Sequence, residues 1–126
     1  VRLIILGAGG HGKVVADLAK QIGKYEEIFF LDDNSQDAEV LGKCSQYLEF
    51  RSIDTEMYPA FGNNTTRVQW ENKLLEAGIR LAKIIHPLAY VSPLAEVVSG
   101  CVIMPYAVVN TGTKIKKHVL SILVLW

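Results

Sequence analysis

The sequence predicts an α/β chain: a small parallel sheet covered by helices over its first two-thirds, then a parallel β-helix of about two coils. Three observations carry that expectation. Residues 85–120 keep a strict six-residue period, aliphatic runs of strand length alternate with helical patterns before it, and the first such run passes through a glycine-rich turn straight into a helix.

The opening run, Arg2 to Leu6, is a continuous aliphatic stretch of strand length. GAGGHG follows it, and then KVVADLAKQIG, in which Val14, Val15, Leu18, Ala19 and Ile22 recur at helical spacing until Gly23 ends the pattern. EEIFFLDDN supplies a second buried strand, Ile28 to Leu31, running into Asp32, Asp33 and Asn34. A third strand is expected around Met57 to Phe61, leading into Gly62, Asn63 and Asn64, and Arg67 to Ala77 reads as a helix closed by Gly78. Strands alternating with helices imply a parallel sheet with both faces covered. Asp37 to Thr55 reads as a polar, irregular connection.

The period of six is the signal for the second part. Ile85, Val91, Val97, Ile103, Val109 and Ile115 lead successive units, and small Ala89, Ala95, Cys101, Ala107, Thr113 and Val119 stand four places later. A helix repeats every 3.6 residues and a strand every two, so period six describes short strands turning corners around a triangular prism. The aliphatic leads fill the interior, the small residues fit near the corners, and Gly100, Gly112, Pro87, Pro93 and Pro105 fall where turns need them. The rival is an antiparallel meander, which has no reason to hold one register over six units.

Length and composition bound what such a chain can do. Its 126 residues, 50% hydrophobic and 21% charged, suit one ordinary domain or two small ones with a modest core. Thirteen basic and thirteen acidic side chains balance, which argues against nucleic acid or an anionic membrane as partner and for small molecules or copies of itself. Cys44 and Cys101 show no metal-ligand spacing and imply no disulfide, which fits a reducing, cytoplasmic setting. Val1 to Leu6 is too short for a signal peptide, and no later run is long enough to cross a bilayer.

The chemistry-bearing residues cluster at strand ends. Gly7, Gly9 and Gly12 satisfy G-x-G-x-x-G spacing between a strand and a helix, where glycines let backbone approach a phosphate and free N–H groups stabilise its charge. Asp32 ends the second strand, where a carboxylate can accept hydrogen bonds from ribose hydroxyls or a base. This is the pattern of a nucleotide site; the alternative is a glycine turn that merely packs helix on strand. Gly62, Asn63 and Asn64 would lie along the same edge, either contacting ligand or capping a helix through Asn64 or Thr65.

Taken together, LGAGGHGKVVADLA, IFFLDDN, AFGNNTTR, IIHPLAYVSPLAEV and IMPYAVVNTGTKI, in that order and spacing, resemble the bacterial nucleotide-sugar acetyltransferases. These include UDP-4-amino-sugar N-acetyltransferases, and the sialic acid O-acetyltransferase-like proteins are similar. The resemblance implies a Rossmann-like UDP-sugar-binding domain over residues 1–83 and a left-handed β-helix over residues 84–126. It places Gly9, Gly10 and His11 near the diphosphate or sugar, Asp32 and Asp33 near uridine, and Gly62 in the pocket lining. It also implies a trimer, acetyl-CoA as co-substrate bound between neighbouring β-helices, no metal, and a β-helix histidine as general base for direct transfer. Neither cysteine falls at a catalytic position of the family, so an acyl-cysteine intermediate is not expected.

The chain departs from that pattern after Leu120. Ser121 would take an interior position and Leu125 a small-residue position, and the family histidine would lie beyond Trp126. SILVLW can be encoded so that a one-base shift reads Ile-Asn-Thr-Gly-Ala-Val, which restores the repeat. The sequence reading is therefore a truncated, inactive β-helix produced by a frameshift near codon 121, the alternative being a native short form whose Leu123, Leu125 and Trp126 cap the prism. No catalytic residue is assigned: His11 sits in the nucleotide loop, His86 is expected to pack at the domain junction, and His118 to lie on the surface. Lys114, Lys116 and Lys117 read as a solvated basic face or a contact for CoA phosphates, and Trp70 as core. Two further functions compete: a non-enzymatic module that binds a nucleotide-sugar or self-associates, and an NAD-dependent enzyme built on the glycine loop.

Overall fold

The computed structural model describes residues 1–114 and the backbone of 115 and 121–122. Its first part is a five-stranded, wholly parallel sheet in the order β3-β2-β1-β4-β5, made of β1 (Arg2–Leu6), β2 (Glu27–Leu31), β3 (Val40–Gly42), β4 (Thr55–Pro59) and β5 (Arg80–Leu81). Helices α1 (Gly10–Ile22) and α2 (Asn64–Glu76) are the crossovers that parallel strands require. β1 is central, with Arg2 opposite both Glu27 of β2 and Thr55 of β4.

The aliphatic character of β1 follows from burial on two faces. Leu3 and Ile5 join Val15, Ala16, Leu18 and Ala19 of α1 in one core, while Ile4 and Leu6 join Met57, Leu74 and Ile79 in a second. The strand alternation of side chains thus feeds two layers from five residues. α1 ends at Gly23, whose φ of 70° is the left-handed cap expected there.

Several boundaries differ from the sequence expectation. The sheet has five strands where three were read. β4 begins at Thr55 rather than near Met57, because Glu56 is buried with its carboxylate held by Tyr25 Oη at 2.6 Å and Lys24 Nζ at 3.2 Å. A charge so paired does not announce a strand. Residues 37–55, read as irregular, contain β3 and a 3₁₀ helix, Cys44–Phe50. α2 starts three residues early, at Asn64, because Asn63 and not Asn64 or Thr65 is the cap: its side chain accepts from Thr66 N at 2.9 Å.

The hexads form two-residue strands: β6 (Ile84–Ile85), β7 (Tyr90–Val91), β8 (Glu96–Val97), β9 (Val102–Ile103), β10 (Val108–Val109), β11 (Lys114–Ile115) and β12 (Ser121–Ile122). They pair in three parallel ladders, Ile85 with Ile103, Val91 with Val109 and Val97 with Ile115, each partner eighteen positions on. Buried Cys101, Ile103, Ala107 and Val109 pack with Ile85, Ala89, Val91, Ala95 and Val97, so leads and small residues share one cluster as the period implies. At four hexads the amide of the small residue closes a turn on the carbonyl three residues back: Ala89 to His86, Ala95 to Ser92, Ala107 to Met104 and Thr113 to Asn110. Tyr106 adopts φ 65° at the hexad position that glycine holds at 100 and 112.

The last ladder corrects an expectation. Ile122, not Ser121, stands opposite Ile103, and Ser121 stands opposite Val102. Lys116, Lys117, His118, Leu123, Leu125 and Trp126 lie outside the described residues.

The sheet and the ladders are joined by shared packing. Ala82, Ile84 and Val102 belong to the core built on Leu3, Ile5 and α1. His86, 5% exposed, accepts the Leu88 amide on Nδ1 at 3.0 Å, which leaves Nε2–H to donate to Gln21 Oε1 of α1. That is the junction role expected for it. Among the described residues no helix is long and apolar enough to cross a membrane.

Candidate functional site

In a parallel sheet whose order reverses direction, the crevice for a ligand opens at the carboxyl ends of the strands flanking the reversal. Here that point lies between β1 and β4. From β1 the chain proceeds to β2 and β3 on one side and then crosses to β4 on the other. The loops after β1 and β4 are Gly7–Gly9 and Ala60–Asn63.

The glycines have separable reasons to be there. Gly7 turns the chain at φ 102°, and a Cβ on it would meet Ala60 O at 3.2 Å. A Cβ on Gly12 would stand 2.0 Å from Gly7 O, so α1 can cross the end of β1 this closely only without a side chain. Gly9, Gly10 and Gly62 have no atom within 4 Å of a built Cβ; nothing in the fold itself demands glycine at them. They border open space at the sheet edge, next to an α1 N-terminus that no side chain caps. First-turn N–H groups there lack intrahelical partners and carry the positive end of the helix dipole. An anion fits that position.

His11 belongs to the first turn of α1 rather than to the preceding loop. Its ring centroid lies 6.3 Å from that of Tyr58, and its Nε2 is buried without a hydrogen bond. Burial lowers its pKa, and the nearby Arg67 guanidinium lowers it further, so the imidazole is neutral at pH 7. A neutral ring with one buried nitrogen can orient a sugar or donate to an oxygen; it is not primed as a cation.

Asp32 and Asp33 fall on the β2 side of the glycine loop. Asp32 Oδ2 accepts the Ala8 amide at 2.7 Å, and Oδ1 accepts those of Asn34 and Ser35 at 2.8 Å each. These bonds, Ala8's first, hold its carboxyl below the usual carboxylate range. Asp33 is exposed, and its Oδ1 accepts the Cys44 amide at 3.0 Å, opening the 3₁₀ helix. The six residues singled out from sequence therefore divide: Gly9, Gly10, His11 and Gly62 at the β1/β4 crevice, Asp32 and Asp33 on the β2 side of the same edge.

Sequence reasoning missed the polar floor beside the crevice. Arg67 and Glu71, 3% and 2% exposed, lie one turn apart on α2 with Arg67 Nε 3.8 Å from Glu71 Oε1, and Arg67 also donates to Asn64 Oδ1. The spacing of four was visible, but such pairs ordinarily sit on solvent-facing surfaces. Trp70 packs edge-on to Tyr47 and stacks on Phe61, bearing out its reading as core. Burial pushes the Cys44 thiol up to about 12 and that of Cys101 up to about 11, so neither is a nucleophile at neutral pH. Among the described residues no group of three or more His, Cys, Asp or Glu is placed to hold a metal ion. A groove of about 420 Å³ lies elsewhere, between α1 and β2, lined by Lys13, Lys20, Tyr25 and Phe30 among others. It carries Asp17, Glu26 and Glu39 alongside its lysines, which makes it a poor anion site.

Comparison with known proteins finds a family and several relatives for this chain. Residues 2–74 match the PglD N-terminal domain family. A UDP-N-acetylbacillosamine N-acetyltransferase of Bacillus subtilis (strain 168) is 33% identical over 107 residues, which cover 79% of this chain and 50% of that protein. The acetyltransferase domain of PglB from Neisseria gonorrhoeae, solved with acetyl coenzyme A, superposes with a TM-score of 0.84 at 40% identity, over 95% of this chain and 58% of that one. A perosamine N-acetyltransferase from Caulobacter crescentus, solved with CoA and GDP-perosamine, gives 0.82 at 27% identity, over 91% and 57%. The chain spans about half the length of the curated relative it matches.

Proposed function

Since this chain belongs to the sugar acetyltransferase family marked by the PglD N-terminal domain, we propose that its crevice between β1 and β4 holds the diphosphate of a sugar nucleotide. One observation carries the reading: Gly9, Gly10 and Gly62 border open space around an uncapped helix N-terminus, where the fold alone does not require glycine. The Ala8–Gly12 backbone takes the diphosphate, neutral His11 meets phosphate or sugar, Asp33 faces the base, and Gly62 lines the sugar side.

UDP is the nucleotide we favour, because the relative at 33% identity is named for a UDP-sugar while the GDP-perosamine protein stands at 27%. Acetyl-CoA is the co-substrate in this reading, and an amine or hydroxyl of the sugar is the acceptor. The three ladders from Ile84 onward are the first coils of a left-handed β-helix, with the division from the sugar-nucleotide domain near Lys83. In the family pattern these coils associate side by side in a cytoplasmic trimer.

Acetyl transfer needs a general base close to the acceptor. Among the described residues of the coils the sole histidine is His86, and both its ring nitrogens are engaged by Leu88 and Gln21. In keeping with the frameshift expectation, we propose that the chain binds the sugar nucleotide without turnover of its own.

Calorimetric titration with UDP and with acetyl-CoA, followed by a thiol-release assay with acetyl-CoA and a UDP-linked 4-amino sugar, tests this. The expected result is UDP binding with CoA release at the uncatalysed rate. Turnover above background would overturn the inactive reading, and failure of UDP and GDP alike to bind would overturn the site.

A further inference from the structure

On the sugar-nucleotide reading above, we infer that Asp32 is a positioning residue: it ties the glycine loop after β1 to the loop after β2, and does not itself contact ribose or base. A carboxylate offers about four acceptor positions, and three are already taken by the amides of Ala8, Asn34 and Ser35 at 2.7–2.8 Å. All three donors are backbone groups of the two loops that would frame the ligand.

The location of Ala8 gives the tie its consequence. It lies between Gly7, whose left-handed turn is pinned by the bond from Gly7 N to Leu31 O at 2.8 Å, and Gly9, the residue that caps α1. Fixing the Ala8 amide therefore fixes the direction in which the next peptide groups enter the helix. Those groups supply the N–H donors for an anion. Without Asp32 the half-buried Ala8 N–H would seek another partner, and the cradle would lose the preorganisation on which a diphosphate site depends.

Charge supports the same role. A free carboxylate beside a diphosphate repels it, whereas three amide donors and nearby Lys13, itself bonded to Asp37 at 3.0 Å, disperse the charge of Asp32. An asparagine can copy only part of this arrangement, because its amide nitrogen would confront one set of N–H donors. Exposed Asp33 has one oxygen on Cys44 N and is the acid placed to face a ligand.

Three probes separate positioning from contact: UDP, 2′,3′-dideoxy-UDP, which lacks the ribose hydroxyls, and CDP, whose base has no N3–H for a carboxylate to accept. Each is titrated calorimetrically against the wild-type chain and Asp32→Asn, with Asp32→Glu as a second variant should the first not fold. Positioning predicts the same loss for all three ligands, about tenfold to a hundredfold, as expected for one charge-assisted hydrogen bond to the loop. A loss that vanishes with the dideoxy compound, a loss that vanishes with CDP, or no loss at all overturns the inference and leaves the nucleotide site standing. A wild-type chain that binds none of the three overturns the site itself, and the inference with it.

Discussion

Substituting the glycines one at a time separates those that build the fold from those that await a ligand. Gly12→Ala places a Cβ 2.0 Å from Gly7 O and 3.0 Å from Gly7 C, both backbone atoms, whereas ordinary contact begins near 3.4 Å. Neither side can yield easily. Gly7 is held to Leu31 and to Ala60 N–Leu6 O on its flank, and α1 is anchored by Val15, Leu18 and Ala19. Overpacking of this kind costs about 3 kcal/mol, offset by about 1 kcal/mol of helix propensity gained on leaving glycine. The net loss is about 2 kcal/mol, or roughly 8 °C in Tm for a chain of this size. Gly9→Ala and Gly10→Ala meet no atom within 4 Å, so they should melt within about 2 °C of wild type or slightly above it. Their added methyl groups nevertheless stand where a diphosphate would approach. Thermal melts with and without UDP should therefore show a large fall in Tm for Gly12→Ala, and a lost UDP stabilisation at unchanged Tm for the other two. A Gly12→Ala chain that melts like wild type would refute the packing argument. Full UDP stabilisation in Gly9→Ala and Gly10→Ala would refute the assignment of the cradle.

Other consequences follow from the buried polar groups. Arg67→Met removes the ion pair whose Nε lies 3.8 Å from the buried Glu71 carboxylate and should cost about 3–5 kcal/mol in urea unfolding; a variant as stable as wild type would contradict this. Cys44 and Cys101, 4% and 0% exposed with thiols pushed up to about 12 and about 11, should resist a disulfide reagent at pH 8 until the chain unfolds, and stoichiometric labelling of the native protein would be incompatible with their burial. Asp32 titrates lower in the folded chain than the roughly 3.9 of an unfolded aspartate, so its stabilisation is complete above about pH 4 and is lost as pH falls through the folded value. Wild type and Asp32→Asn should accordingly differ most in stability near neutrality and converge in acid; a gap that stays constant down to pH 2 would show that ionisation of Asp32 does not matter.

How much of this was legible in the sequence depends on whether a residue's environment is set locally. The hexads were legible because every lead from Ile85 to Val109 meets the same geometry, so the pattern repeats what the packing repeats. The β1 run was legible because both faces of Leu3 to Leu6 are buried and none of these four positions is polar. β4 was misplaced where Thr55 and Glu56 begin it, since the partners that make Glu56 tolerable, Lys24 and Tyr25, are about thirty residues away in sequence. Arg67 and Glu71 went unseen for a related reason: spacing of four identifies a pair but not the face it occupies. The spacing marks Asp32 as an acceptor at the end of β2; that its oxygens reach Ala8 depends on how the loops after β1 and β2 converge, which the spacing does not encode.

The central claim is that a nucleoside diphosphate sugar binds at the crevice between β1 and β4, and an amide-resolved NMR titration with UDP tests it most directly. The account predicts saturable shifts concentrated at the amides of Gly9, Gly10, His11 and Gly62, with weaker changes at Asp33 and none in the groove lined by Lys13, Lys20 and Tyr25. Shifts centred on that groove, or a spectrum unchanged at millimolar UDP and GDP, would contradict it.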